Sequence, residues 1–305
     1  MLNYFLKRVI SSIMTIFIVI TLTFFLMKAI PGNPFTDEKM PNKEIKAAMM
    51  AKYGLNKPVW QQYLQYLNNF IHGDFGVSYT KAGITVNKVI SDGFPYSAVI
   101  GIYASLLIVF VGIGMGIVSA LNQNKAVDRI LMTLSTLGAT IPSFVLATGF
   151  LYLFSKTLGL VPAFGIDNPK GYIGPILVIG AFSMAFITRL TRTSLLEVLQ
   201  QDYIRTARSK GLSENKVVVK HALRNALLPV VTYIGPMIAS IVTGSFVIEK
   251  VFGIPGIGSL FTISIINRDY PLIMGITVFF AILLVAAVLI VDFMYVLIDP
   301  RIRLD

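Results

Sequence analysis

Six stretches of this chain run without a single Asp, Glu, Lys or Arg, each close to the roughly 20 residues an apolar helix needs to cross a bilayer. They occupy 9–27, 96–121, 130–154, 172–188, 227–248 and 272–290. No other feature restricts the fold so sharply. In hydrocarbon a backbone must satisfy its own polar groups, so each run reads as a helix. The 305 residues are 55% hydrophobic and only 13% charged, which points to an all-α polytopic membrane protein. Lys7 and Arg8 ahead of the first run allow a secretory signal. That run is too long for a signal core and no small-residue cleavage site follows, so it is read as a retained helix.

The formal net charge of +11 raises the question of nucleic acid. Membrane topology accounts for most of it instead, and no nucleic acid is expected. Lys7, Arg8, Lys125, Arg129, a basic cluster between the fourth and fifth runs, and Arg301 and Arg303 all fall on one side of a six-helix order. The excess of Lys and Arg on cytoplasmic loops then places both termini inside. Long segments escape that rule, so the lysines between 31 and 94 do not oppose an external location. Pro31, Gly32, Asn33 and Pro34 mark an exit from the first helix. Trp60, Tyr63, Leu64 and Leu67 fit one helical face. The segment reads as a small, partly helical extracytoplasmic insertion, with a plain linker as the alternative. Gly112 and Gly116 form a helix-packing pair, and Pro142 is expected to kink the third span.

Catalytic and metal sites are not expected. There is no cysteine, the two histidines are His72 and His221, and neither belongs to a ligand or triad pattern. Gly253, Gly256 and Gly258 invite a phosphate-loop reading, which fails because no Lys-Ser/Thr pair closes the loop. A secondary carrier would place ionisable residues within its spans, and the six runs hold none.

The polar interruption 197–231 is the richest stretch. Leu196, Leu199, Tyr203 and Ala207 recur at helical spacing, opposite Glu197, Gln201, Arg205 and Arg208. Gly211 reads as a left-handed helix end. Ser213 reads as the N-cap of a second helix with Glu214 in its first turn. On that helix Lys216, Lys220 and Arg224 share one face, and Val218, Val219 and Ala222 another. Pro229 opens the fifth span. On these features alone the loop could lie on anionic lipid with no protein partner.

The run YIRTARSKGLSENKVVVKHALRNALLPVV resembles the cytoplasmic coupling loop of ABC importer permeases of the oligopeptide/dipeptide/nickel group. The general motif there is Glu-Ala-Ala, three residues, Gly, then a spacer ending in Leu-Pro. Here Arg205 and Thr206 stand at its first two positions, Ala207 and Gly211 match, and Pro229 lies five residues further from the glycine than in the general pattern. Both departures are usual in the peptide branch. A second match falls on Glu249, Phe252, Pro255, Gly256 and Gly258 with the NRDYP run, in what reads as a tight extracytoplasmic turn. PGNPF, YGLNKPVWQQYLQYL and GDFGVSY resemble the insertion of the B-type oligopeptide permeases, which in that family faces a binding protein.

The resemblance implies the type I ABC importer permease fold. Residues 1–94 would supply the first helix and the insertion, and 95–305 the transmembrane domain with a coupling loop at 189–228. It implies a subunit of the bacterial cytoplasmic membrane that moves oligopeptides, with dipeptide or nickel as alternatives. The expected partners are a second homologous permease, two ATPase subunits that use ATP and Mg, an extracytoplasmic peptide-binding protein and the lipid bilayer. The chain itself is expected to bind no cofactor and to be no enzyme. Tyr203, Arg205, Ala207, Gly211, Leu212, Ser213 and Asn225 are the residues expected to couple it to the ATPases. Residues that bind substrate are not assigned.

Overall fold

The computed structural model describes residues 2–30, 43–81 and 83–298, with side chains for 6–30, 47–81 and 83–290. Expectations that rest on Pro31 to Pro34, Arg301 and Arg303 lie outside them. Among the described residues five helices are long and apolar enough to cross a membrane, Leu6–Ala29, Val86–Leu121, Pro169–Leu199, Leu228–Val251 and Tyr270–Ile290, or six when the bent pair Ala126–Thr140 and Ser143–Thr157 is counted as one span. Among the described residues the only strand-like pairing is an isolated bridge between Val77 and Thr85. The chain divides into two compact units, Met1–Pro95 with Gly256–Asp305, and Tyr96–Pro255.

The first unit holds α1 (Leu2–Ala29), α2 (Lys43–Lys52), α3 (Val59–Ile71) and the start of α4 (Val86–Leu121). Near the other end of the chain it adds α13 (Ile257–Asn267) and α14 (Tyr270–Ile298). Its core is Val86, Val89, Ile90, Ile257, Leu272 and Ile276, ringed by Phe75, Phe94, Phe261, Phe279 and Phe280. Gly275 makes that core possible. A Cβ there would stand 2.4 Å from Val86 Cγ1, so α14 closes on α4 through bare backbone. The insertion is partly helical, as expected, but its packing face differs from the expected one. Tyr63 and Tyr66 lie against Phe24, at ring distances of 5.3 and 5.9 Å, and Tyr63 Oη meets Thr21 Oγ1 at 2.7 Å. Trp60 and Leu64 point away and stay exposed. Both stripes are apolar, so periodicity alone could not tell the packed one from the free one.

A buried carboxylate fastens the segment that follows α3. Asp269 is fully buried. It accepts from the Ser78 hydroxyl, the Thr80 hydroxyl at 2.7 Å, and the backbone N–H groups of Tyr79 and Thr80 at 3.0 and 3.3 Å. Arg268 just before it takes a left-handed backbone, φ 56°, which ends α13 and turns the chain into α14.

The second unit continues α4 and adds α5 (Ala126–Thr140) and α6 (Ser143–Phe150), which widens into a π-helical turn at Leu151–Thr157. A 3-10 turn, Pro169–Tyr172, leads into α7 (Ile173–Leu199). Then come α8 (Asp202–Ser209), α9 (Glu214–Lys216), a π-helical stretch at Val217–Ala222, α10 (Leu223–Ala226), α11 (Leu228–Val242) and α12 (Phe246–Val251). Two spans are more broken than their sequences suggest. The kink expected at Pro142 is a bend of 108° between α5 and α6. The fifth span is interrupted at 243–245, where Gly244 has φ +93° and a Cβ would meet Glu249 Oε1 at 2.6 Å. The helix resumes as α12, so the fifth span extends to Val251. It therefore includes Glu249, which the charge-free run 227–248 leaves just outside. Glu249 is buried and accepts from Ser97 Oγ at 2.8 Å. The expected tight turn after it is a helix, a bend at Gly253 and a further helix.

The glycine pair on α4 packs against α7. Cβ atoms would stand 3.1 Å from Ile187 at Gly112 and 2.5 Å from Thr191 at Gly116, whereas Gly114 between them meets nothing. The Thr188 hydroxyl donates to the Gly112 carbonyl at 3.2 Å. Small residues thus let the two backbones touch.

Candidate functional site

The segment between α7 and α11 folds as a short helical hairpin on the ends of α4 and α7. The single helix expected over 196–208 is two. α7 ends at Leu199, Gln200 and Gln201 turn, and α8 starts at Asp202. The break rotates the apolar stripe. Ile204 and Ala207 face inward and Tyr203 is exposed, although helical spacing alone puts Tyr203 on the apolar face. Fully burying an isoleucine such as Ile204 is worth about 1.5–3 kcal/mol.

Gly211 closes α8. Its φ of +76° lies in the left-handed region, and open space surrounds the position of a Cβ. Glycine is therefore required there by backbone conformation and not by packing. Ser213 occupies the expected N-cap position with extended backbone, but its hydroxyl makes no capping bond. The corner is held instead by ions. Arg208 donates from Nε and Nη2 to the two Glu214 carboxylate oxygens at 2.8 and 3.2 Å.

After the corner the second arm widens at Val217–Ala222 into i→i+5 turns. That shifts the facing residues. Val217, Val218, Ala222 and Ala226 are buried, and Val219, expected beside Val218, is exposed. The floor of the hairpin is one cluster of Ala120, Leu195, Ile204, Ala207, Val217, Ala222 and Ala226, with Ile117, Leu199, Leu212 and Leu223 at its edge. Alanine recurs because two short helices must approach two long ones closely.

Of the seven residues singled out for coupling, the fold brings two into direct contact. Asn225 Nδ2 donates to Tyr203 Oη at 2.8 Å, bridging the two arms. Arg205 and Ser213 are exposed, Ala207 is buried, and Leu212 is half-buried at the cluster's edge. Arg205 reaches Asp202 at 3.6 Å across an exposed turn. The outer surface is therefore polar and basic, and its backing is aliphatic and small. The second expected group is divided in role. Glu249 and Phe252 are buried, Phe252 in a cluster with Ile100, Ala147 and Val178. Pro255 is exposed. Gly256 precedes α13 with extended backbone, and Gly258 is buried within it.

Asp128 is a buried polar residue that the sequence reading leaves out. α5 begins at Ala126 and buries it. Asp128 accepts from Arg192 Nε and Nη2, both at 2.8 Å, from the Asn124 N–H at 2.8 Å, and from Ser119 Oγ at 2.5 Å. This two-pronged pair ties the α4–α5 turn to the part of α7 that carries the hairpin. A lone acid in a charge-poor chain, ahead of a span that lacks its own partner, was the available signal.

Residues 112–304 match the family described as binding-protein-dependent transport system inner membrane component. Residues 1–100 match the N-terminal region of such membrane components. The chain is 46% identical over 304 residues to the dipeptide transport system permease protein DppB of Bacillus subtilis, covering 100% of this chain and 99% of that one. It is 44% identical to the oligopeptide transport system permease protein OppB of Haemophilus influenzae, covering 99% and 100%. The DppB of Lactococcus lactis is 41% identical over the full length of both. A solved structure of the MetNI methionine ABC transporter superposes with a TM-score of 0.59 at 16% identity, covering 69% of this chain and 96% of that chain. At that identity the likeness shows a shared fold.

Proposed function

Because the chain belongs to the inner membrane components of binding-protein-dependent transport systems, we propose that it is the permease subunit of an ATP-driven peptide importer, and that the hairpin 202–226 is where ATPase subunits act on it. The observation that carries the reading is the full-length kinship with peptide permeases, joined to a hairpin shaped as a lever. Its arms are bridged by Tyr203 and Asn225, its corner by Arg208 and Glu214, and it rests directly on Ala120 and Leu195 of two span ends. A push on α8 therefore moves α4 and α7 rather than bending a loose loop.

In this reading ATP and Mg are held by two partner subunits. Their closure favours one of two arrangements of the permease, and nucleotide release favours the other. A second permease subunit completes the path, and an extracytoplasmic binding protein delivers the peptide. Dipeptide and oligopeptide permeases stand among its relatives at comparable identity, so the substrate class is peptide and the length is left to the binding protein. The test is reconstitution in vesicles with those partners. Uptake of labelled peptides that requires ATP supports the reading. Uptake without ATP that follows a proton gradient overturns it in favour of a secondary carrier.

A further inference from the structure

The first unit contains a cleft of about 300 Å³ that the transport reading leaves unused. Its floor is the last turns of α1 (Phe24, Met27, Lys28) and the first turn of α14 (Tyr270, Pro271, Met274). Both are ends of apolar spans, so the cleft sits at the depth where hydrocarbon gives way to headgroups. Its walls are the turn after α2, the inner face of α3 and the segment 74–79.

Three lysines and one aspartate line it: Lys28, Lys52, Lys57 and Asp74. Asp74 is engaged by the Gly76 N–H at 2.8 Å. The lysines are held by neutral groups. Lys28 donates to Gln62 Oε1 and lies 5.7 Å from the centre of the Phe24 ring. Lys57 donates to Gln65 Oε1 at 3.2 Å. Lys52 sits over the Tyr53 ring. Among the described residues none of the three forms an ion pair. The buried Tyr66 hydroxyl has no hydrogen-bond partner, and burial raises its pKa, so it stays a neutral donor. A buried hydroxyl without a partner calls for one.

Helix α3 indicates the source of the anion. It packs beside α1 from Thr21 to Lys28, and Thr21 lies eight residues, about 12 Å of helix, from the end of α1. A helix at that depth lies in the interfacial layer. Its outward stripe is Trp60, Leu64 and Ile71, all exposed and all on one face at spacings of four and seven. An exposed apolar stripe with a tryptophan, backed by lysines, is the pattern of a helix lying in a membrane surface.

We propose that α3 is an interfacial helix and that the cleft behind it holds the phosphate of a phospholipid headgroup, met by Lys28, Lys52, Lys57 and the Tyr66 hydroxyl. The acyl chains run outward past the aromatic wall into the bilayer.

Two measurements test this. Trp60 is the only tryptophan of the chain, so its fluorescence in vesicles of phosphatidylglycerol reports α3 alone. Brominated acyl chains should quench it strongly and aqueous iodide weakly. The reverse order overturns the interfacial placement. For the headgroup, the full chain in detergent is offered phosphatidylglycerol or diacylglycerol with the same chains, and retained lipid is counted by native mass spectrometry. Phosphatidylglycerol should be retained preferentially. Lys28→Gln and Lys57→Gln should each lower retention about fivefold, and Tyr66→Phe, which keeps the ring, about threefold. Lys88→Gln, the same charge change outside the cleft, should change nothing. Equal retention of both lipids, or indifference to the cleft variants, overturns the proposal. Complete displacement by inorganic phosphate also overturns it, since the site would then serve a soluble anion.

Discussion

The insertion 43–85 and the hairpin 202–226 are both polar interruptions between spans, yet they are held in opposite ways. The insertion grips its unit with large rings and a carboxylate. Tyr63 and Tyr66 lie on Phe24, and Asp269 collects four donors from 78–80. The hairpin rests through Ala207, Ala222 and Ala226, beside Ile204 and Val217, on Ala120 and Leu195 of the spans, and keeps its charges outward. Rings and buried hydrogen bonds fix one geometry. A stiff element seated on an alanine-rich aliphatic cluster, with no ring or buried polar bond to break, can be displaced as a body. The insertion is built as an anchor, and the hairpin has the build that the proposed lever needs.

The contrast can be broken from either end. Asp269→Ala should have the largest effect. It strands two hydroxyls and two N–H groups in a buried site, at a cost of about 3 kcal/mol or more. Limited proteolysis should then cut within 73–85, while the hairpin stays protected. Arg192→Ala leaves Asp128 unpaired and should cost about 2–3 kcal/mol. That is less than the loss of one partner from a fully buried pair, because 22% of the Arg192 side chain remains exposed. Thermal unfolding in detergent measures it, and the insertion should keep its protease resistance. If one substitution loosens both regions, the two are not independent and the comparison fails.

Two substitutions sharpen the lever itself. Gly211→Val forces a β-branched residue into a left-handed backbone, at about 1–2 kcal/mol. ATPase activity should continue while peptide uptake falls, and Gly211→Asn, which tolerates that backbone, should retain more. Normal uptake in Gly211→Val would show that the glycine only ends a helix. Tyr203→Phe removes the bridge to Asn225 and should have the smallest effect, about 0.5–1 kcal/mol. It should appear as weaker coupling of uptake to ATP hydrolysis rather than as lost stability.

The helical class and the five or six apolar spans were legible because charge-free runs of this length have few other fates. The breaks were less so. Pro142 announces a kink, but a 108° bend depends on what packs beside it. The interruption at 243–245 follows from the meeting of Gly244 and Glu249, which no local pattern reveals. The hairpin's corner was legible at Gly211 because a left-handed residue has a strong local signature. Its faces were not. The turn at Gln200 and the π-helical stretch each shift register, so Ile204 displaces Tyr203 and Val217 displaces Val219 on the buried side. Buried acids were hardest to find. Asp128 lies 64 residues from Arg192 and Asp269 lies 191 from Ser78, and only the fold makes them neighbours.

In the proposed mechanism force enters at the hairpin's outer face. The chain has no cysteine, so a single cysteine at Arg205 can be addressed cleanly in the assembled transporter. A bifunctional reagent should join it to an ATPase subunit, and a membrane-impermeant maleimide added to intact cells should leave it unlabelled. Labelling from outside the cell, or cross-linking to the extracytoplasmic binding protein instead, would contradict the account.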